Sequence, residues 1–544
     1  MRKMNRSMLG LLGMLFLLNL FCVSSVMPCY AEEKLLGSEA VSYNSVGSSV
    51  SIDGDTAVVG ASSPYGITTG EAYVFRFDGT GWKQVARLTA EDAALGDLFG
   101  ASVSVSGTAI VIGAPCSANK GAAYVFTSNG TEWVQAAKLT PDLAYPNGNF
   151  GVAVSMSGNT IVIGAPYNGS SGAAYVFKNE GAGWVQVKRL TATDVADWAA
   201  FGDSVSIDGN RVLVGAPGDD EYAGSAYVFT YDGTDWVQAP KLTAEGDAAT
   251  YELFGDSVSI RGDTVAVGAI YDDDYAGSAY VFRYNGTGWP RAARLTVADA
   301  EGSDEIGFSV STDGDRVLVG ARGDDSGTGA AYLFKDDGTG WLQVAKLTAT
   351  DGYIWDSFGT SVSIDGNRAL VGAPNNNSIG AAYIFTLEEP GALEIVVDIK
   401  PGSDSNPLNP KSKGVLPVAI LGSSTFDVTT IDPDTIRLSR EGVEGEVAPI
   451  RASYGDVTTS TGSPMVACHE LEGDGYADLK LKFRTQQLVE VLKLREVAGQ
   501  SVQLTLTGTL KEEFGGTPIE GQDYVKVLKT GKKADKKPHP GPKK

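Results

Sequence analysis

The stretch FGDSVSIDGNRVLVGAP at 201–217 returns in seven variants, beginning at Val46-Gly47, Phe99-Gly100, Phe150-Gly151, Phe201-Gly202, Phe254-Gly255, Ile306-Gly307 and Phe358-Gly359. The steps between them are 53, 51, 51, 53, 52 and 52 residues. A period near 50 restricts the chain to a solenoid or a propeller, because a unit of that length cannot bury its apolar faces alone and must stack on its neighbours. Within one unit SVSI (204–207) alternates as a short strand, Asp208-Gly209 reads as a tight hairpin turn, and RVLVGAP follows as a second strand. GSAYVF (224–229) is a third strand, and a turn at Asp232-Gly233 leads to a fourth, WVQAPKL (236–242). Four antiparallel strands repeated seven times predict an all-β fold, a seven-bladed β-propeller with one blade per repeat.

The ends of the array sharpen this expectation. The seventh repeat stops after Tyr383-Ile384-Phe385, where LEEPGALEI replaces the Trp-bearing strand, while Lys34-Leu35 stands before the first repeat at the spacing of Leu88 to Phe99 and of Leu139 to Phe150. The N-terminal segment is therefore expected to supply the missing outer strand of blade seven, which closes the ring and removes its free sheet edges. The propeller is expected over 32–388. From about Leu393 the repeat is gone, and short Val/Ile-rich runs broken by Pro, Gly and Asn predict a smaller β-sandwich-like domain over 389–528. A Lys/Pro-rich tail at 529–544 reads as a disordered extension, with contact to an anionic wall polymer as the other reading.

The pattern FG-SVS…VGAP…AYVF…W.Q..KLT resembles FG-GAP repeats, the unit of the integrin α-subunit propeller and of many secreted prokaryotic proteins. The segment from 393 resembles a C-terminal module of secreted prokaryotic repeat proteins. Calcium-binding blades of this family carry D-x-D-x-D-G-x-x-D between their first two strands. Here that loop has shrunk to turns such as Asp53-Gly54 and Asp208-Gly209, too few oxygens to surround a hard cation, so blade calcium is not expected. In the C-terminal domain, ELEGDGYADL (470–479) resembles that loop, with Glu470, Glu472, Asp474 and Asp478 at its carboxylate positions and Gly475 at its turn. Calcium and a plain acidic hairpin turn are equal readings of it.

Export follows from the N-terminus. Arg2, Lys3 and Arg6 precede an apolar run from Met8 to about Val23, and small residues end in CYA at 29–31. This is the pattern of a signal peptide over 1–31, cut after Ala31. No later run approaches the ~20 apolar residues of a membrane helix, so no membrane span is expected, and the protein is expected to be secreted or at the cell surface. Cys22 and Cys29 leave with the leader. Cys116 and Cys468 fall in different expected domains and read as separate thiols, with an interdomain disulfide as the alternative. Of the net charge of −23, the leader contributes +3 and the tail +6 (seven Lys against Asp535), which leaves −32 on the remainder. Such a surface repels nucleic acid and attracts cations.

The residues shared by all repeats, such as the Tyr73-type and Phe75-type positions, read as packing between blades. Recognition is expected where repeats differ. In an up-and-down blade the loop between strands two and three shares a face with the blade-to-blade connection. On that face fall Asp219, Asp220 and Glu221 in blade four, Asp272, Asp273 and Asp274 in blade five, and Asp324 and Asp325 in blade six. Ordinary solvated carboxylates are the competing reading. Trp198 and Trp355 stand three residues before Phe201 and Phe358, where other repeats have Gly96, Asn147, Tyr251 and Ser303. Aromatics beside carboxylates suit a sugar or a protein partner, and lid packing is the alternative. The Arg-Gly-Asp triplets at 261–263 and 322–324 read as drift within the repeat.

With two histidines after the leader, His469 and His539, no His-based metal cluster and no Ser/His/Asp set is evident. The expected function is therefore a non-catalytic binding or cell-surface protein that recognises an extracellular protein or glycan through the acidic, Trp-bearing face. The alternative is an extracellular carbohydrate-active enzyme, a glycoside hydrolase or lyase, using carboxylates of that face.

Overall fold

Apolar runs and alternating runs divide the labour within each blade. In the computed structural model, which describes residues 30–63, 66–143, 145–244, 251–387, 392–403, 405–423, 426–457, 476–511 and 518–529, blade four consists of Val205–Asp208, Arg211–Ala216, Ser225–Tyr231 and Trp236–Gln238. Its second strand is apolar almost throughout because both faces are covered, and Val212, Leu213 and Val214 are buried. The outer strands alternate, as at Trp184–Leu190, because one face meets water. Seven four-stranded antiparallel sheets result, each in the order inner strand to outer strand.

The ring closes as the sequence implied. Ala31–Leu35 pairs antiparallel with Ala381–Thr386, from Ala31 opposite Thr386 to Leu35 opposite Ala382, and so completes blade seven. Residues 1–29 of the expected leader lie outside the described residues, as does the tail from 530.

Neighbouring blades are tied at their inner strands. The last serine of the inner-strand motif, S-V-S in six blades and A-V-S in blade three, accepts a hydrogen bond from a backbone N–H of the next blade: Ser51 from Val105, Ser104 from Met156, Ser155 from Ile207, Ser206 from Ile260, Ser259 from Thr312, Ser311 from Ile364, and Ser363 from Ile52. All seven span 3.0–3.1 Å. The small hydroxyl lets inner strands approach while leaving no orphaned N–H. Gly215 serves the same close approach, since a Cβ there would fall 2.0 Å from the Gly255 carbonyl oxygen.

The repeated aromatics form the layer between blades, with Phe201 5.5 Å from Tyr227 and 6.1 Å from Phe229. The repeated tryptophans are half-buried against the blade cores, and three of them receive an arginine from the preceding blade: the Arg211 guanidinium lies 5.3 Å from Trp289, that of Arg283 5.7 Å from Trp341, and that of Arg368 5.1 Å from Trp82.

One local expectation shifts. The hairpin between the first two strands is centred on Gly209-Asn210, because Asp208 pairs with Arg211 and Gly209 takes φ 57°. The aspartate before the glycine belongs to the strand end, where it serves the next blade instead: Asp208 accepts from Gly262 N–H at 2.8 Å.

The second unit begins at Glu389. One of its sheets runs Leu393–Glu394, Pro518–Val527, Ser501–Leu510 and Ile431–Ser439, with Pro407–Leu408 also paired to Pro518–Val527. The other runs Val397–Ile399, Val415–Ile420, Leu479–Arg484 and Arg451–Tyr454. Leu438, Leu506 and Val525 from the first sheet and Ile399, Val418 and Leu481 from the second share one core, which is a β-sandwich capped by the helix Thr485–Val491.

Candidate functional site

The loops chosen from sequence do share a face. Each blade connection hydrogen-bonds to the loop between strands two and three of the blade before it, as Trp198 N–H does to the Ser170 carbonyl at 2.7 Å and Ser303 N–H to the Tyr275 carbonyl at 2.9 Å. Gly218 N–H, in the corresponding loop of blade four, donates to Ala199 of the same connection.

The acidic clusters sit on an unusual backbone. Asp219–Tyr222 is a single turn in which Asp220 (φ 48°), Glu221 (φ 59°) and Tyr222 (φ 67°) are all left-handed. Asp273, Asp274 and Tyr275 repeat this in blade five, and Asp325 and Ser326 in blade six. Left-handed conformation costs an L-residue roughly 1–2 kcal/mol, least for Asn and Asp, whose short polar side chains bond locally. The turn therefore favours a short polar residue, Asp or Asn, at its left-handed positions.

The structure splits each cluster in two. The leading residues Asp219, Asp272 and Asp324 are buried, which corrects their placement on the exposed rim. Asp219 Oδ2 accepts from the Tyr227 hydroxyl at 2.6 Å, Asp272 Oδ2 from the Tyr280 hydroxyl at 2.6 Å, and Asp324 Oδ2 from the Tyr332 hydroxyl. Lys241, Arg294 and Lys346 complete the three sites, with Arg294 Nη2 2.9 Å from Asp272 Oδ2 and Lys346 Nζ 2.9 Å from Asp324 Oδ2. Burial, then the carboxylate bond, drives the Tyr227, Tyr280 and Tyr332 hydroxyl pKa values far above the ordinary phenol range. These three carboxylates are framework. The basic residue of the KLT signature, unremarked in the sequence reading, is their counter-ion.

The remaining acidic residues, Asp220, Glu221, Asp273, Asp274 and Asp325, are exposed. Asp220 is held 2.5 Å from Lys241, while Asp273 and Asp325 lie 3.5 Å and 4.0 Å from Arg294 and Lys346. Trp198 and Trp355 are also out in solvent, 78% and 70% exposed, so they are not lids over an apolar core. Both adopt left-handed φ, 65° and 70°, at a position where blades one and two connect through Gly96 and blades two and three through Asn147. Tyr145, Tyr167, Tyr251, Tyr275 and Tyr353 add exposed rings in the same kinds of loop.

A cleft of about 250 Å³ opens on this face beside blade four. Trp198, Tyr167, Tyr222 and Leu253 line it together with Asp203 and Asp256, which the sequence reading passed over. The signal was available: the residue after each F-G reads Ser48, Ala101, Val152, Asp203, Asp256, Phe308 and Thr360, and only blades four and five put a charge there. Desolvation raises Asp203 to about 6. Desolvation, reinforced by the charge of Asp203, raises Asp256 to about 7. Trp355 and the exposed carboxylates of the three turns lie outside the cleft lining.

The Arg-Gly-Asp triplets are tied into the fold. Asp263 pairs with Arg211 at 2.7 Å, and Asp324 is buried. Cys116 is a free, exposed thiol, and Cys468 lies outside the described residues. So do Glu470, Glu472 and Asp474. Asp478 is buried, and its two carboxylate oxygens accept from Gly422 N–H at 2.9 Å and Val457 N–H at 2.8 Å, which joins two loops of the sandwich. Among the described residues no three His, Cys, Asp or Glu side chains are grouped to hold a metal ion, and no helix is long and apolar enough to cross a membrane.

Comparison with known families returns the FG-GAP repeat, matched seven times, at residues 31–75, 82–126, 133–177, 184–229, 236–282, 289–334 and 341–385. Each match begins on the outer strand of one blade and ends on the third strand of the next, so the sequence unit and the structural unit are out of phase by one strand.

Proposed function

The chain belongs to the FG-GAP repeat family, whose propellers are interaction folds found in extracellular and cell-surface proteins, and from that premise we propose that it is a secreted, non-catalytic binding protein. Its propeller recognises an extracellular protein or glycan through the face built by the blade connections and the loops between strands two and three. The observation that carries this reading is the pair Trp198 and Trp355. Each is a large ring left in water on a left-handed backbone that a neighbouring connection fills with Gly96 or Asn147. Backbone strain combined with apolar exposure is retained where a surface is used.

The test is binding of the full chain to arrays of extracellular glycans and envelope proteins, alongside Trp198→Ala/Trp355→Ala. A ligand whose retention falls at least tenfold in the double variant, with an unchanged melting temperature, is the expected result. Equal retention by both proteins overturns the reading. Turnover of a polysaccharide, lost on Asp→Asn replacement at this face, replaces it with a carbohydrate-active enzyme; the raised Asp203 and Asp256 are the observation that makes this second reading worth testing.

A further inference from the structure

As a rule, the described buried carboxylates elsewhere in this propeller are supplied with donors. Asp219 takes the Tyr227 hydroxyl, the Ala196 N–H and Lys241. Asp272 takes the Tyr280 hydroxyl and Arg294. In blade one Glu71 takes the Tyr73 hydroxyl at 2.7 Å, together with Asn44 and Arg87. Asp203 and Asp256 break this rule. Both are only partly accessible, both line the cleft beside blade four, and neither side chain takes a hydrogen bond or an ion pair from another described residue. The charged groups around Asp256 are Asp203, Glu305 and Arg322. Arg322 is occupied elsewhere: its Nε lies 2.5 Å from Glu305 Oε2, and its guanidinium stacks 3.6 Å from the centre of the Phe308 ring. Two acceptors close enough to sense each other's charge thus stay unmatched among the described residues.

The remaining walls indicate what would match them. Trp198, Tyr167 and Tyr222 line the cleft together with the carboxylates, and the exposed Tyr222 ring is stacked on Tyr251 at 5.7 Å with the planes 12° apart. Ring faces and unpaired carboxylates both favour an organic cation. An open cleft lined by three aromatic residues suits the apolar face of a sugar ring, whereas a lone lysine side chain is better held in a narrow channel.

Resting on the binding reading above, we propose that the cleft lined by Asp203, Asp256, Trp198 and Tyr222 is a subsite for an amino sugar of a glycan ligand, its ammonium group on the two carboxylates and its ring against the aromatic residues. Neutralising either carboxylate or acetylating the amine removes the same interaction.

The experiment is calorimetric titration of the full chain with a β-1,4-linked glucosamine hexamer, its N-acetylated counterpart and hexalysine. The free-amine sugar is expected to bind at least tenfold more tightly than the acetylated one. Asp203→Asn/Asp256→Asn is expected to lower its affinity at least tenfold without lowering the melting temperature, and Tyr222→Ala provides a second variant on the aromatic side. Equal binding of the two sugars, indifference to the Asn substitutions, or no binding by any of the three probes overturns the amino-sugar subsite. None of these touches the wider binding reading, which the Trp198→Ala/Trp355→Ala comparison decides. Hexalysine binding as well as the sugar, with the same dependence on both carboxylates, overturns the sugar assignment and identifies a protein cation as the ligand.

Discussion

Blades two and seven turn between their second and third strands on Ala118-Asn119 and Asn377-Ser378, whereas blades four and five turn on Asp220-Glu221 and Asp273-Asp274, and all four turns are left-handed. The backbone is shared and the charge is not. A left-handed turn asks for short polar side chains, which Asn satisfies as well as Asp. The carboxylates on the outer part of the turns in blades four to six are therefore free choices of those blades, and the same blades carry Asp203, Asp256 and, in the connection into blade four, Trp198. Blades four to six are specialised; blades two and seven keep the geometry in neutral form.

The largest effect that tests this division belongs to the buried leading residue. Asp272→Ala leaves the Tyr280 hydroxyl without its acceptor and Arg294 with only the more distant, exposed Asp273, and is expected to cost about 2–4 kcal/mol in denaturant unfolding. Ser117→Ala in blade two, whose hydroxyl lies 3.5 Å from that of Tyr124, is expected to cost less than about 1 kcal/mol. Equal losses would mean that the acidic and neutral turns do not differ in their framework.

Next in size is Asp256→Asn, which should raise the melting temperature. The folded value of about 7 lies above the ordinary value of ~3.9 for an unfolded Asp. Between these the folded state keeps a proton that the unfolded state has released, so stability is lost as pH rises through the window. The gain on substitution should be largest near pH 8 and vanish near pH 4. A loss of stability at pH 8 would make Asp256 a framework residue like Asp272.

Trp198→Gly follows. Relief of the left-handed strain, offset by the added freedom of an unfolded glycine, should stabilise the fold by about 0.5–1 kcal/mol while weakening binding, which a melting curve and a binding isotherm check together. Smallest is Asp273→Asn/Asp274→Asn, which turns the acidic loop of blade five into a neutral one. It should move stability by less than about 0.5 kcal/mol, since one carboxylate sits 3.5 Å from Arg294 in full solvent and the other has still less to lose.

Most of the fold was readable from the repeats, because period, strand alternation and turn glycines all express backbone requirements that recur seven times. The closing strand was readable for the same reason, as Lys34-Leu35 carries the KLT-type ending. The site was only partly readable. Trp198 and the exposed halves of the clusters were found as departures from the repeat. Asp219, Asp272 and Asp324 looked like more of the same charge, since no linear pattern reveals that a tyrosine eight residues on turns its hydroxyl back to them. Asp203 and Asp256 were missed because they sit inside the repeat's best-defined phrase, where the change of residue type after F-G is visible but the cleft it lines is not.

The strand Ala31–Leu35 has a further consequence for how copies of the chain keep apart. It is synthesised ahead of every blade, yet its partner at Ala381–Thr386 is the last propeller strand to appear. Until then each nascent chain carries a loose strand at one end and, once blade seven has formed, a matching open edge at the other. At high local concentration the strand of one copy can fill the edge of a second, giving exchanged dimers or open chains of propellers in place of closed rings. Dilution during refolding should therefore favour the monomer.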